Sequence, residues 1–600
     1  MLIRCAIFST AFAVLLSSPL AMAATAQPAP NKALHALFER EFQRGLEESP
    51  ESATFLGVEG FNDRLSDFSA TATARRKAHV KKLMAELRKF DAVKLSTQDR
   101  ISRDMMQDAL ARSAQADRLY GDLPFGADDN DDWLVVSPME GPQLSFPLLA
   151  KVTPFRHARD YENYLKRLNA LPRALAQLTT RMEAGIKSGW MPTRAAMERV
   201  PAQFAAFAVA DVAASPLYAP FSSFPSSISA SEQERLTQAG RKLLSERVHP
   251  AYAAMKEFIE QRYLPACSQS LAASDLPGGK AYYELRVRVS TTTDLSAPKI
   301  HEIGQREVAR IRAAMQKLIL STGFKGSHAD FLEFLKADPR FYFTRADDLL
   351  AAYRDIAKRA DAELPKLFAE LPRLPYGIRL MEANEGDNAE HYTPGALDGS
   401  RAGYFEANGN NLKTRPKYEM ENTLLHETVP GHHLQTARAR ELKGLPKFRR
   451  SSWYVAYGEG WALYAESLGD EMGMYRDPYS KFGQLSWEMV RACRLVIDTG
   501  LHALGWTREQ GIACLVENAG LRRSYAEAEV DRYIVIPGQA LGYKIGELKI
   551  KELRGKAEAA LGEKFDVRLF HNAVLDDGAL PLNLLEKRID EWITRMRVGR

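Results

Sequence analysis

Glu421-Asn422-Thr423-Leu424-Leu425-His426-Glu427-Thr428-Val429-Pro430-Gly431-His432-His433-Leu434-Gln435 gathers three of the chain's twelve histidines beside a glutamate. Hydrolases that hold zinc on a helix use two histidines and an adjacent Glu. The imidazoles take the metal, and the neighbouring carboxylate, turned about 100° round the helix, reaches a bound water. His426-Glu427 supplies the first half of that arrangement.

The second half is irregular, because Pro430 stands four positions after His426, where HExxH would place a histidine. Pro430 cannot donate the helical hydrogen bond to the His426 carbonyl and Gly431 tolerates a bulge, so a kink is expected between the ligands. His433 returns to the same face of an ideal helix but about 10.5 Å along it, against about 6 Å for a four-residue spacing. A two-residue bulge at Pro430-Gly431 would put His432 in the ligand position. His432 is therefore favoured, with His433 as the alternative.

A third ligand is expected on a neighbouring helix. Glu459, in Tyr457-Gly458-Glu459-Gly460-Trp461-Ala462-Leu463-Tyr464-Ala465-Glu466, fits, and its glycine neighbours allow close backbone approach. Glu466 lies two turns on along the same face and is expected to orient an imidazole.

Outward from this cluster the dominant pattern is helical. Ser296-Ala297-Pro298 opens a helix with Ile300, Ile303, Ile311, Met315 and Leu318 on one stripe. Thr344 and Asp347 resemble a capping box ahead of Leu349, Tyr353, Ile356 and Ala360, and Asn583 with Glu586 a cap ahead of Leu585, Ile589, Trp592 and Met596. Tyr283 to Val289 alternates apolar and charged residues, which by period alone argues a strand. Ala402 to Ala407 reads as a strand that could pair with a substrate backbone as a sheet edge. Asp128 to Asp132 lacks the glycine and glutamate of a calcium loop and is expected to be a solvated acidic loop.

The chain has 600 residues, 45% hydrophobic and 26% charged, which excludes collagen, low-complexity and wholly disordered classes. With 81 basic against 76 acidic residues and no long basic run, no nucleic-acid partner is implied. Met1 to Ala23 reads as a secretory signal: Arg4, an apolar stretch, then Ala21-Met22-Ala23. Exported, periplasmic or extracellular placement follows, with no stable membrane anchor; Cys5 precedes the apolar stretch, against a lipid anchor there. Cys267, Cys493 and Cys514 remain, too few for a disulfide scaffold, although Cys493 and Cys514 could bridge in an oxidising compartment. The expected division is a signal over 1–23, an N-terminal helical lobe over 24–277 and a C-terminal metal-binding lobe over 278–600, the lobes forming one continuous family domain. The oligomeric state is left open.

At the His426 to His433 cluster the chain resembles a bacterial family with an HExxPGHH signature, long known only as a domain of unknown function and regarded as zinc metallopeptidases. Thr291 to Leu295, Tyr392 to Gly395 with Gly399 to Arg401, Arg532-Tyr533, Pro537 to Lys544 and Gly578 to Leu582 are also similar to it. That family is similar to thimet-oligopeptidase-like gluzincins. The resemblance implies a mainly α, zincin-like fold with two lobes around a channel and a small β element beside the active-site helix. It implies one Zn2+ on two His and one Glu, and oligopeptide substrates. It also favours helix over strand around Tyr283.

On that reading His426, His432 and Glu459 hold zinc, and Glu427 is the general base. Tyr543 is the first candidate to donate to the oxyanion, with Tyr533, Arg532 and Tyr392 behind it. A zinc amidase or esterase acting on a non-peptide substrate, and a non-catalytic metal-binding helical protein, are the alternatives.

Overall fold

The computed structural model describes residues 29–598 apart from 208, 210, 383–385, 387, 397, 398 and 400. The secretory signal lies outside the described residues. The architecture is mainly α, with one three-stranded sheet among the described residues. Residues between Val135 and Cys267 build an aromatic-rich core of their own around Tyr161, Tyr164, Phe221 and Tyr252. The larger core runs from Ala273 to Ile593 and also takes in Ile101, Met105, Tyr120, Phe125 and Trp133.

The helices that matter for the site are α1 (Gly279–Thr291), α2 (Ala297–Ser321), α3 (Ala346–Leu367), α4 (Met420–Glu427), α5 (His432–Glu441), α6 (Val455–Leu468), α7 (Pro478–Ala503), α8 (Arg508–Ala519), α9 (Arg523–Val535), α10 (Gly542–Leu561) and α11 (Leu582–Arg597). Helix α1 corrects the strand read from alternation around Tyr283, and agrees with the resemblance. Arg286 is buried and pairs with Asp131 at 3.2 Å. Alternation of charge was thus not alternation of exposure: Glu284 and Arg288 are exposed four residues apart, on one helical face.

Ser296 and Pro298 start α2 as expected, and Ile300, Ile311 and Met315 are buried beneath it. Two cap assignments are displaced. Helix α3 begins at Ala346 after Arg345, with no side-chain cap, so Thr344 and Asp347 form no box. Helix α11 begins after Pro581, which places Asn583 inside the first turn. The acidic loop is also corrected: Asp129 accepts from Arg112 at 2.6 Å, Asp131 pairs with Arg286, and Asp132 pairs with Arg181 at 3.3 Å. Asp129, Asp131 and Asp132 tie helices together, while Asp128 and Asn130 are exposed.

The sheet holds β1 (Tyr376–Leu380), β2 (His391–Thr393) and β3 (Gly403–Ala407) in the order β1-β3-β2. β3 pairs in parallel with β1 and antiparallel with β2. The strand expected at Ala402 to Ala407 is therefore present, but at the centre of the sheet; its hydrogen bonds are taken on both sides, and the edge beside the site is β2.

Candidate metal centre

Helix α4 ends at Glu427, where the Thr428 N–H bonds to the Leu424 carbonyl at 2.8 Å, and α5 begins at His432. The expected kink is thus a complete break between two helices. Gly431 is required there: a Cβ would collide with the carbonyls of Leu425 and His426. Trp461 Nε1 donates to the Pro430 carbonyl at 2.8 Å and locks the turn onto α6.

The break returns His432 beside His426, with ring centroids 4.7 Å apart. Glu459 Oε2 lies 3.5 Å from His426 Nε2 and 3.4 Å from His432 Nε2. One ligand atom from each of the three residues falls within 4.8 Å of the others. Two imidazole nitrogens and one carboxylate oxygen are a donor set suited to zinc with a fourth position open. His433 is engaged elsewhere: its Nδ1 accepts from the Tyr392 hydroxyl at 2.8 Å and its Nε2 donates to the Leu374 carbonyl at 3.0 Å. Burial pushes its pKa down to about 4, so it is a neutral structural imidazole.

Glu466, fully buried, accepts at Oε1 from His426 Nδ1 at 2.7 Å and from Arg491 at 3.1 Å. This fixes the His426 ring with Nε2 turned toward Glu459. Burial alone would lower the His426 pKa, but hydrogen bonds to Glu459 and Glu466 outweigh it and lift it to about 9. His432 Nδ1 is buried with no hydrogen-bond partner among the described residues. Its ring is held by packing against His426 and Trp453.

Glu427 Oε2 accepts the backbone N–H of Tyr392 at 2.8 Å, so the edge strand β2 sets the carboxylate. His426, Glu427, His432, Glu459 and Tyr543 all line one cavity of about 610 Å³, walled further by Tyr342, Tyr418, Trp453, Trp487 and Tyr525. Tyr543 reaches it because α6 and α10 touch through glycine: a Cβ on Gly460 would meet the Gly546 Cα at 2.5 Å. The Arg494 guanidinium stacks 4.3 Å from the Tyr543 ring centroid. Burial and the Glu459 charge raise the Tyr543 pKa, which keeps the phenol a neutral donor.

A family model described as a bacterial protein of unknown function (DUF885) matches residues 50–589. The chain belongs to that family. Two solved structures are similar to this DUF885 protein. One is described as the "putative lipoprotein from Colwellia psychrerythraea", 28% identical, with a TM-score of 0.86 over 94% of this chain and 99% of its own. The other, "a putative lipoprotein of unknown function from Shewanella oneidensis", is 18% identical, with a TM-score of 0.70 over 92% of this chain and 99% of its own, and shows likeness of fold. No curated protein matches the chain. No helix among the described residues is long and apolar enough to cross a membrane.

The remaining expected residues of the DUF885 chain are sorted by the same geometry. Tyr533 is buried away from the cavity: its hydroxyl donates to Glu529 at 2.6 Å and accepts from Arg494 at 3.0 Å. It holds Arg494 and does not reach a ligand. Arg532 lines the cavity but is paired with Glu529 and donates to Gln539 at 2.6 Å, and Gln539 in turn contacts the Tyr543 hydroxyl at 3.4 Å. The Tyr392 side chain is spent on His433, and it is its backbone that serves the site. Sequence reading passed over Arg491 and Arg494. Their signal was two arginines three positions apart inside the otherwise apolar run Met489 to Ile497.

Proposed function

We propose that this protein is an exported zinc-dependent hydrolase that cleaves oligopeptides. The likeness to thimet-oligopeptidase-like gluzincins belongs to this proposal. The observation that carries it is the convergence of His426, His432 and Glu459 on one point of the cavity, with Glu427 beside them. A base next to the ligands has no use in a purely structural zinc site, which four protein ligands would close.

His426 Nε2, His432 Nε2 and a Glu459 oxygen would hold the ion. Bound zinc supplies Lewis-acid chemistry, acidifying a water and polarising a carbonyl. Glu427 takes the water's proton on the oxygen that Tyr392 does not occupy, and afterwards passes it to the leaving amine. Tyr543 donates its phenolic hydrogen to the oxygen on which negative charge develops, and Arg494 beneath the ring holds it in place. Recognition of the substrate falls to the aromatic walls of the cavity.

Export rests on the Met1 to Ala23 leader, and the likeness to proteins described as lipoproteins is in keeping with it. The decisive experiment incubates zinc-loaded protein with a diverse peptide pool and reads the products by mass, with Glu427→Gln as control. New termini absent from the control are expected; an unchanged pool, or cleavage that survives in Glu427→Gln, would overturn the proposal.

A further inference from the structure

Helices α7 and α8 pack side by side, and Cys493 on α7 faces Cys514 on α8 with their sulfurs 3.1 Å apart. The helices are also close at Gly511 of α8, where a Cβ would lie 3.0 Å from Ile497 of α7. We propose that Cys493 and Cys514 form a disulfide in the folded protein, cross-linking α8 to the helix that carries Arg491 and Arg494. A disulfide needs the sulfurs at about 2.05 Å, so bond formation asks for a closure of about 1 Å, within reach of small side-chain rotations.

The two sulfurs differ in access. Cys493 is fully buried, whereas Cys514 is half-buried and is the one an oxidant meets. The Cys514 thiolate attacks the disulfide of a dithiol–disulfide oxidant, forming a mixed disulfide and releasing one thiolate. The Cys493 thiolate then attacks Cys514 Sγ and displaces the second. The two protons lost by the cysteines go to the two thiolates released, and the oxidant's disulfide is reduced as the protein's is made. Cys267 takes no part. Among the described residues its sulfur contacts the Tyr263 carbonyl at 3.4 Å and no other sulfur.

The bond would sit beside the candidate centre. Arg491 and Arg494 flank Cys493 on α7, the first paired with Glu466 and the second stacked on Tyr543. The cross-link would tie α8 to the helix that carries both arginines, whether or not the site is a peptidase.

The test uses the folded chain from residue 24 onward, incubated with oxidised glutathione, then denatured in excess alkylating reagent and weighed. One alkylated cysteine, Cys267, is expected, with the loss of two hydrogens and a linked Cys493–Cys514 peptide pair after tryptic digestion. Cys514→Ser should show two alkylated cysteines and no linked pair. Three alkylated cysteines, glutathione retained on Cys514, or a linked pair that includes Cys267 would each overturn the inference. None of these readouts depends on metal or turnover.

Discussion

The backbone N–H of Tyr392 donates to Glu427 Oε2 at 2.8 Å, so the last residue of α4 is oriented by the edge strand of the sheet. Glu427→Gln keeps the shape, because an amide oxygen still accepts that hydrogen bond, but it removes the base. Zinc content should match the parent while peptide turnover falls by about 10² to 10⁴. Metal analysis beside the peptide assay checks both halves, and parent-like turnover would remove Glu427 from the mechanism.

His432 and His433 are adjacent in sequence and unlike in role. His432→Ala should abolish stoichiometric zinc binding. His433→Ala should keep zinc and lose stability, since it empties a buried site and strands the Tyr392 hydroxyl and the Leu374 carbonyl. The reverse pattern in metal content would exchange the assignments.

Glu466→Gln tests orientation of the first ligand. The amide cannot carry the carboxylate's charge to His426 Nδ1, and Arg491 loses its ion pair. Zinc affinity is expected to fall about 10- to 100-fold. Competition with a chelator measures it; an unchanged affinity would make Glu466 a packing residue only.

Gly460→Ala forces a methyl group against the Gly546 Cα and so pushes α10 from α6. Overpacking of this kind costs about 1 to 3 kcal/mol. Turnover should fall more than zinc affinity, because Tyr543 moves with α10 while His426 and His432 stay on α4 and α5. Equal loss of both would show that Glu459, not Tyr543, had been displaced.

Asp498, fully buried on α7, accepts from the Tyr283 hydroxyl at 2.6 Å and from the Gly538 N–H at 3.0 Å. Burial outweighs these bonds and pushes its carboxyl up to about 7. The folded state therefore binds a proton that the unfolded chain releases at about pH 4. This contribution to stability is fully present below about pH 4 and is lost as pH rises through about 7. Asp498→Asn stays neutral throughout, so its urea midpoint should gain on the parent's between pH 5 and pH 8. A pH-independent difference between the two would refute the assignment.

The pairing of His426 with His432 was legible because proline and glycine act locally, and an irregularity between them favoured His432 over His433. Glu459 was legible through its glycines, of which Gly460 makes the close helix contact expected and Gly458 faces the Trp453 ring. What escaped was non-local. Nothing in residues 402–407 tells that β1 covers one side of β3, so centre and edge were exchanged. Arg286 looked like a surface charge because its partner Asp131 lies far away in sequence, and the strand inferred around Tyr283 rested on that appearance. Tyr533 and Tyr543 share one motif, yet packing alone decides which ring meets the cavity and which holds Arg494 from behind.

The larger core draws Met105, Tyr120, Phe125 and Trp133 into the same apolar mass as the helices that carry the histidines. The part of the chain bearing His426, His432 and Glu459 thus borrows some of its own interior from residues that precede it by several hundred positions. A piece starting at residue 278, transplanted into another protein, would carry the histidines with a bare hydrophobic wound where those side chains had been, and would aggregate before it met a metal.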